Sequence, residues 1–406
     1  MKILSVISSG YEQGGVETTL VAYRAAFRDM GHDTRVLASD IRPDLPHYAD
    51  YEFKAIPPRG FRKVINTIFN FSAYRVCRKV LRDFRPDVVI LHTMHQVTPA
   101  VLLQLRKYPT IQCVHGPEVF TTSLLPWYLS LSSFKNRDYD LAHITLAGRI
   151  WYWVLRYPYS LLYNLALKNV NRFLVFSTYT RRILRQDGFD PQLISYVPSG
   201  VKPMNRSEAS RQAVEPPTIT YAGRLEKYKG VDSLIASMTE VREQWPSARL
   251  VIAGEGTYAD QLKEHVRTLG LSDSVKFIGH IDQSGLGDFY ANSTVTVMPS
   301  TWPETFGKVG IEAMSVGTPV VATNVGGITD WLHDNENGIL VPPSQPDQLA
   351  KAITRIIQDP ALQAALSSNA SKTVDMFSME RYIENLLRNV TEVLTQASSG
   401  RRANLS

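Results

Sequence analysis

Cysteine is nearly absent: Cys77 and Cys113 are the two among 406 residues, and they stand at no disulfide or metal-ligand spacing. A disulfide scaffold and a zinc module are thereby argued against, and a reducing cytosol suits the composition. Long apolar runs are missing too. The most apolar stretch, residues 144–167, is interrupted by Arg149, Arg156 and Asn164, so no segment is expected to cross a bilayer. The opening apolar run stops at Ser8, Ser9 and Gly10, too short and without the cleavage site of a signal peptide, and reads as a first buried strand. No low-complexity tract or solenoid-length repeat occurs. What remains is an ordinary globular composition, 44% hydrophobic and 20% charged, in a chain long enough for two domains of roughly 200 residues each.

The net charge of +6 conceals an asymmetry. Residues 1–195 carry 25 basic against 15 acidic side chains, and residues 196–406 carry 19 against 23. A basic first half calls for an anionic partner. No helix-turn-helix, zinc finger or aromatic RNP pattern accompanies the charge, so nucleic acid is not expected. Anionic lipid or a lipid-phosphate substrate fits better.

Short β-rich runs alternate with helical stretches throughout. In the first half they are residues 3–7, 34–37, 88–91, 110–114 and 173–176; in the second, 218–221, 249–253, 275–278, 294–298 and 319–322. Continuous apolar strands separated by helices predict doubly wound parallel sheets, one per half. The apolar-poor stretch 199–217 predicts a linker, giving domains at 1–198 and 199–376. Residues 377–406 supply a final helix, in which Tyr382, Leu386, Leu387, Val390 and Val393 recur at helical spacing, plus a tail.

Such sheets bind ligands at the carboxyl ends of their strands. After the first strand, Gly14 and Gly15 open a helix; close approach to an anion and a simple tight turn explain them equally. In the second half Gly223-Arg224 with Lys229-Gly230 is either a pair of cations for a diphosphate or a solvated basic loop. Gly254-Glu255-Gly256 is another loop suited to close backbone approach. The strongest signal is residues 299–314, Pro-Ser-Thr-Trp-Pro-Glu-Thr-Phe-Gly-Lys-Val-Gly-Ile-Glu-Ala-Met. A helix is expected to start near Phe306, aiming the N–H groups of Phe306, Gly307 and Lys308 at a ligand, with Glu304 just before it and Glu312 inside it. Eight residues apart, these carboxylates do not form a close acid–base pair and suit separate hydroxyls of an elongated ligand. The plainer alternatives are a helix cap for Glu304 and a surface helix position for Glu312, although apolar neighbours make a merely solvated Glu312 a poor account.

This segment resembles the E-x7-E motif of the family 4 retaining glycosyltransferases. Gly14-Gly15, Pro198-Ser199-Gly200-Val201, Gly223-Arg224 with Lys229-Gly230, Gly254-Glu255-Gly256, Phe277-Ile278-Gly279 and Gly317 to Ala322 follow the family's order and spacing. The resemblance implies the GT-B fold, two Rossmann-like domains facing a central cleft, with the C-terminal helix crossing back to the first. It implies transfer of a sugar from a nucleotide-diphosphate donor, UDP-sugar foremost, without metal or cofactor, and with retention through front-face attack in which the leaving phosphate takes the acceptor's proton. Arg224 and Lys229 would neutralise the diphosphate. Glu312 would bind ribose, and Glu304 with the Phe306 and Gly307 amides would hold the sugar. The base would lie near Gly279, and His115 would lie near the transferred sugar. Thr305 and Lys308 depart from the common pattern, which leaves the donor sugar open. The expected acceptor is a lipid-linked or cell-envelope glycan bound by the first domain, where Phe120, Trp127, Tyr128, Phe134, Trp151, Trp153 and Tyr163 cluster in sequence. The helix carrying Arg75, Arg78, Lys79, Arg82 and Arg85 predicts either a solvated basic back or a cytoplasmic enzyme docked on an anionic membrane surface. An epimerase of the same fold and a non-catalytic nucleotide-sugar-binding module are the rival readings.

Overall fold

The computed structural model describes residues 1–11, 14–42, 46–57, 59, 61–116, 162–204 and 215–400. The chain divides into two compact units, Met1–Val197 with Ile383–Ser406, and Pro198–Tyr382.

The first unit is built on seven strands: β1 (Lys2–Ser9), β2 (Asp33–Ser39), β3 (Tyr51–Phe53), β4 (Val88–Leu91), β5 (Thr110–Val114), β6 (Arg172–Val175) and β7 (Ile194–Tyr196). Their order is β3-β2-β1-β4-β5-β6-β7, and every pairing is parallel. Strands such as β4, Val-Val-Ile-Leu, are buried along their whole length, as covering both faces of a parallel sheet requires. Helix Phe71–Phe84 covers one face with Ala73, Cys77, Val80, Leu81 and Phe84, and its start is capped by the Asn70 side chain. The same periodicity leaves Arg75, Arg78, Lys79, Arg82 and Arg85 exposed.

The second unit repeats the plan with six strands: β8 (Thr218–Ala222), β9 (Arg249–Ala253), β10 (Val275–Gly279), β11 (Val295–Met298), β12 (Val320–Thr323) and β13 (Ile339–Val341). The order β10-β9-β8-β11-β12-β13 is again parallel throughout. It places the first strand of the unit beside the fourth, so the loops after β8 and β11 are neighbours. That adjacency positions the candidate site.

Helix Met379–Ser398 starts in the second unit, and from Ile383 onward it belongs to the first. Its periodic apolar residues Tyr382, Leu386, Val390 and Val393 are buried. Arg172 of β6 holds the far end by pairing with Glu392 at 3.4 Å and donating to Gln396 Oε1 at 3.5 Å.

All ten expected strands are present, their ends within two residues of expectation. The three that sequence reading misses, β3, β7 and β13, have three residues each and stand at sheet edges. Three residues, even the apolar Ile-Leu-Val of β13, are too few to read as a strand, and such an edge strand is defined by its pairing.

Candidate active site

The loops leaving β8, β9 and β10 are bonded to one another. The Gly223 amide donates to Ala253 O at 3.0 Å, the Gly254 amide to Gly279 O at 2.7 Å, and the Leu225 amide to Glu255 O at 2.8 Å. A Cβ on Gly254 would stand 1.8 Å from Gly223 O, so the approach of these two loops is open only to glycine. The chain then turns through Lys227–Lys229 and reaches the loop after β11, where Thr301 N donates to Tyr228 O at 3.0 Å.

That junction brings the charged groups together. Lys229 Nζ donates to Glu304 Oε1 at 2.6 Å, and Ser300 Oγ donates to the same oxygen at 2.5 Å. The side chains of Lys229 and Glu304 are only 19% and 14% exposed, so this is a largely desolvated pair rather than a surface one. Burial by itself would raise the Glu304 carboxyl. The Lys229 charge, the hydrogen bonds from Lys229 and Ser300, and the Arg224 charge outweigh it and hold the group below its ordinary range. Arg224 is exposed, its guanidinium 5.9 Å from the Tyr228 ring centroid, with Lys229 Nζ 5.7 Å from the same ring. From the other side the loop after β12 grips the Glu304 backbone: Gly327 N donates to Glu304 O at 2.7 Å, and a Cβ on Gly326 would lie 2.2 Å from that oxygen.

The following helix begins two residues later than expected, at Lys308, and spans Lys308–Ser315 with Gly307 before it at φ +87°. The cause is Phe306. Its ring is buried and packs edge-on against Phe377, and its carbonyl accepts from Trp331 Nε1 at 2.6 Å, which pulls the backbone out of helical register. Glu312 is half-buried, one turn and more into the helix, and Tyr290 O–H donates to its Oε2 at 3.5 Å. Burial raises the Glu312 carboxyl above its ordinary value, against smaller lowering effects of Lys308 and the Tyr290 bond. The two glutamates of the motif therefore sit in opposite electrostatic surroundings.

In the first unit His115 follows β5 and stacks on Phe176, ring centroids 4.5 Å apart. Its Nε2 meets His92 Nδ1 at 3.0 Å; His92 Nε2 meets the Tyr23 hydroxyl at 2.8 Å; that hydroxyl meets Ser5 Oγ at 2.7 Å. Gly14 precedes helix Gly15–Asp29, and its carbonyl accepts from Thr18 N at 3.1 Å.

Arg224, Lys229 and Glu304 thus form one cluster, and Gly223, Gly254 and Gly279 one connected set of loops beside it. Phe306, Gly307, Lys308 and Glu312 lie on the segment that Glu304 opens. His115, Gly14 and Gly15 lie in the first unit. Of the expected aromatic acceptor segment, Phe120, Trp127, Tyr128, Phe134, Trp151 and Trp153 lie outside the described residues, and Tyr163 is a core residue, 1% exposed. Sequence reading missed Ser300, Gly326, Gly327, Tyr23 and His92. The Gly326-Gly327 pair just after a strand was a readable signal, of the kind Gly14-Gly15 carries. His92, a lone histidine at a strand end, had none.

Comparison with known proteins bears on this arrangement. The family model "Glycosyltransferase Family 4" matches residues 13–204, and "Glycosyl transferases group 1" matches residues 205–373. An uncharacterized glycosyltransferase of Methanocaldococcus jannaschii is 38% identical over 156 residues, which are 38% of this chain and 40% of that protein, so the chain spans less than half of that relative. Phosphatidyl-myo-inositol mannosyltransferase of Mycolicibacterium smegmatis is 26% identical over 384 residues, 92% of this chain and 89% of that one. The structure of Anabaena HepE in complex with UDP-glucose superposes with a TM-score of 0.71 at 20% identity, over 97% of this chain and 100% of that chain, and shares its fold. With two adjoining family models across most of its length and two parallel Rossmann-like sheets, the chain belongs to the family 4 glycosyltransferases of the GT-B fold.

Proposed function

We propose that the protein transfers a hexose from a UDP-sugar to a hydroxyl of a lipid-linked glycan acceptor, with retention of anomeric configuration. The observation that carries this reading is the cluster of Arg224, Lys229 and Glu304 at the carboxyl ends of β8 and β11. As the bond from the anomeric carbon to the diphosphate breaks, negative charge grows on the phosphate oxygens. Two cations beside the loop amides stabilise it, each charged hydrogen bond contributing about 1.5–3 kcal/mol net. Lys229 has three protons and spends one on Glu304, leaving two for phosphate. Glu304, held ionised, accepts from sugar hydroxyls together with the Phe306 and Gly307 amides. Glu312, half-buried in a largely apolar setting where Tyr290 donates to one of its oxygens, has acceptor capacity that ribose hydroxyls would fill. With Arg224 and Lys229 supplying the positive charge, the reaction runs without metal or cofactor, and the leaving phosphate takes the acceptor's proton.

HepE's complex with UDP-glucose favours UDP as the nucleotide, and the lipid acceptor in the name of the mycobacterial relative favours a lipid-borne one here. The four exposed cations of helix Phe71–Phe84 and its C-cap Arg85, beside a Phe71 that is 52% exposed, suit docking on an anionic membrane surface. No helix among the described residues is long and apolar enough to cross a membrane.

The test is to offer UDP-, GDP- and ADP-sugars with octyl glycosides as lipid-acceptor mimics, with and without EDTA. The product's anomeric coupling is then read by proton NMR. Transfer from a UDP-sugar with retained configuration, unaffected by EDTA, is expected. An inverted product would overturn the mechanism, and an altered donor sugar formed without acceptor would make the enzyme an epimerase.

A further inference from the structure

The two cations of the candidate diphosphate site are held in different ways. Lys229 is bound to Glu304 at 2.6 Å, whereas Arg224 is exposed. A long exposed side chain samples many rotamers, and a ligand that fixes it bears that entropy unless the protein has already removed it. The second unit restricts Arg224 at its backbone and at its tip. Tyr221 of β8 is buried, and its hydroxyl donates to the Arg224 carbonyl at 2.9 Å. The same peptide unit carries the Leu225 N–H, which donates to Glu255 O at 2.8 Å. Both polar groups of this planar unit are therefore bonded, one to a core side chain and one to the loop after β9. Leu225 itself is buried, and its carbonyl accepts from Tyr258 N at 2.9 Å. Gly223, at φ +151°, completes the mount: a Cβ there would stand 2.9 Å from the Tyr221 hydroxyl oxygen and push it from its place. From this clamped backbone the guanidinium reaches over the Tyr228 ring, 5.9 Å from its centroid, and the Trp302 ring packs on Tyr228 with centroids 5.6 Å apart.

We propose that Tyr221 and Tyr228 are positioning residues that hold Arg224 ready for the donor diphosphate, Tyr221 through its hydroxyl and Tyr228 through its ring. The proposal rests on the function proposed above, which makes this cluster a diphosphate site. Lys229 Nζ also lies 5.7 Å from the Tyr228 ring, but its bond to Glu304 sets its place. The effect of both tyrosines therefore passes through Arg224 and falls silent once the guanidinium is gone. The two also differ in which part of the side chain matters. Phenylalanine at position 221 keeps the core packing and loses the bond that holds the peptide unit. Phenylalanine at position 228 keeps the ring face that the guanidinium meets. A pair of tyrosines that merely filled space would show neither contrast.

The experiment is titration calorimetry of the full chain with UDP and with uridine, which lacks the phosphates. It compares the wild type with Tyr221→Phe, Tyr228→Leu and Tyr228→Phe, each also made in an Arg224→Ala background, with urea unfolding to show that every variant is folded. Tyr221→Phe should raise the Kd for UDP about fivefold, and Tyr228→Leu about threefold. Both should leave uridine binding unchanged, and Tyr228→Phe should match the wild type. In the Arg224→Ala background none of the three should weaken UDP further. Tyr228 is only half-buried, so its variants keep the proposal testable even where Tyr221→Phe fails to fold. Unchanged UDP binding in Tyr221→Phe and Tyr228→Leu overturns the proposal. So does weakening that persists undiminished in the Arg224→Ala background, or that extends equally to uridine. A wild type that binds uridine as tightly as UDP would instead remove the diphosphate reading of the site, and the proposal with it.

Discussion

The carboxyl ends of the two sheets are furnished in opposite ways. In the second unit the loops hold full charges, Lys229 against Glu304 with Arg224 nearby. In the first a buried, uncharged phenol and imidazole, Tyr23 and His92, stand in line with the half-buried His115. A departing diphosphate calls for formal charge, and formal charge is tolerated at low exposure only when paired and hydrogen-bonded. A sugar hydroxyl calls for an oriented dipole, and a dipole survives complete burial when both its ends are satisfied.

The largest effect that could break this contrast is at Lys229. Lys229→Ala should lower kcat/KM about a hundredfold and cost about 3 kcal/mol of stability, because it leaves a nearly buried Glu304 without its cation. Arg224→Ala should lose a similar amount of activity but stay within about 0.5 kcal/mol of wild type in urea unfolding, since its side chain is exposed. Equal stability losses in the two variants would mean that the Lys229–Glu304 pair is not desolvated as described.

The two glutamates sharpen the comparison through pH. The folded-state value of Glu304 is lowered below 4.5, so its stabilisation is present above the unfolded value and disappears as pH falls through the folded one. Glu304→Gln should therefore cost about 2 kcal/mol at pH 7 and progressively less in acid. The folded-state value of Glu312 is raised above 4.5, so its contribution is complete in acid and is lost as pH rises through that value. Glu312→Gln should gain up to about 1 kcal/mol at neutral pH and nothing in acid, while weakening donor binding. Unfolding curves for the two variants at several pH values check the sign, and parallel profiles would contradict it.

Ser300 should matter less. Ser300→Ala removes one of two hydrogen bonds on Glu304 Oε1 and should slow transfer about fivefold, roughly 1 kcal/mol. The smallest effect expected is at the membrane. Each exposed cation of helix Phe71–Phe84 is worth about 1 kcal/mol near an anionic leaflet, so the enzyme should co-sediment with phosphatidylglycerol vesicles and be released by salt. Arg75→Glu with Lys79→Glu should abolish co-sedimentation without slowing transfer to a soluble acceptor. Equal behaviour with neutral vesicles would remove membrane docking from the account.

Most of this architecture was legible because it rests on local pattern. Buried parallel strands show as continuous apolar runs, and glycine, arginine and glutamate stand in loops whose positions those runs determine. The pairing inside the site was not legible. Lys229 and Glu304 are 75 residues apart and meet only because β8 lies beside β11, an adjacency that the apolar pattern does not encode. The late start of helix Lys308–Ser315 escaped for a similar reason, since the hydrogen bond that displaces Phe306 comes from Trp331, 25 residues on. His92 escaped because a buried neutral histidine leaves no mark distinguishing it from any other core residue.

Thermal unfolding of the wild type and of Arg224→Ala/Lys229→Ala with UDP-glucose, GDP-mannose and ADP-glucose tests the central claim, that the charged cluster of the second unit is the donor diphosphate site. A donor at 100 times its dissociation constant adds about 2.7 kcal/mol, which corresponds to a rise of about 5 °C or more in a unit of this size. The account predicts that rise for UDP-glucose with the wild type and its disappearance in the double variant. A folded double variant that is stabilised as strongly as the wild type would contradict it.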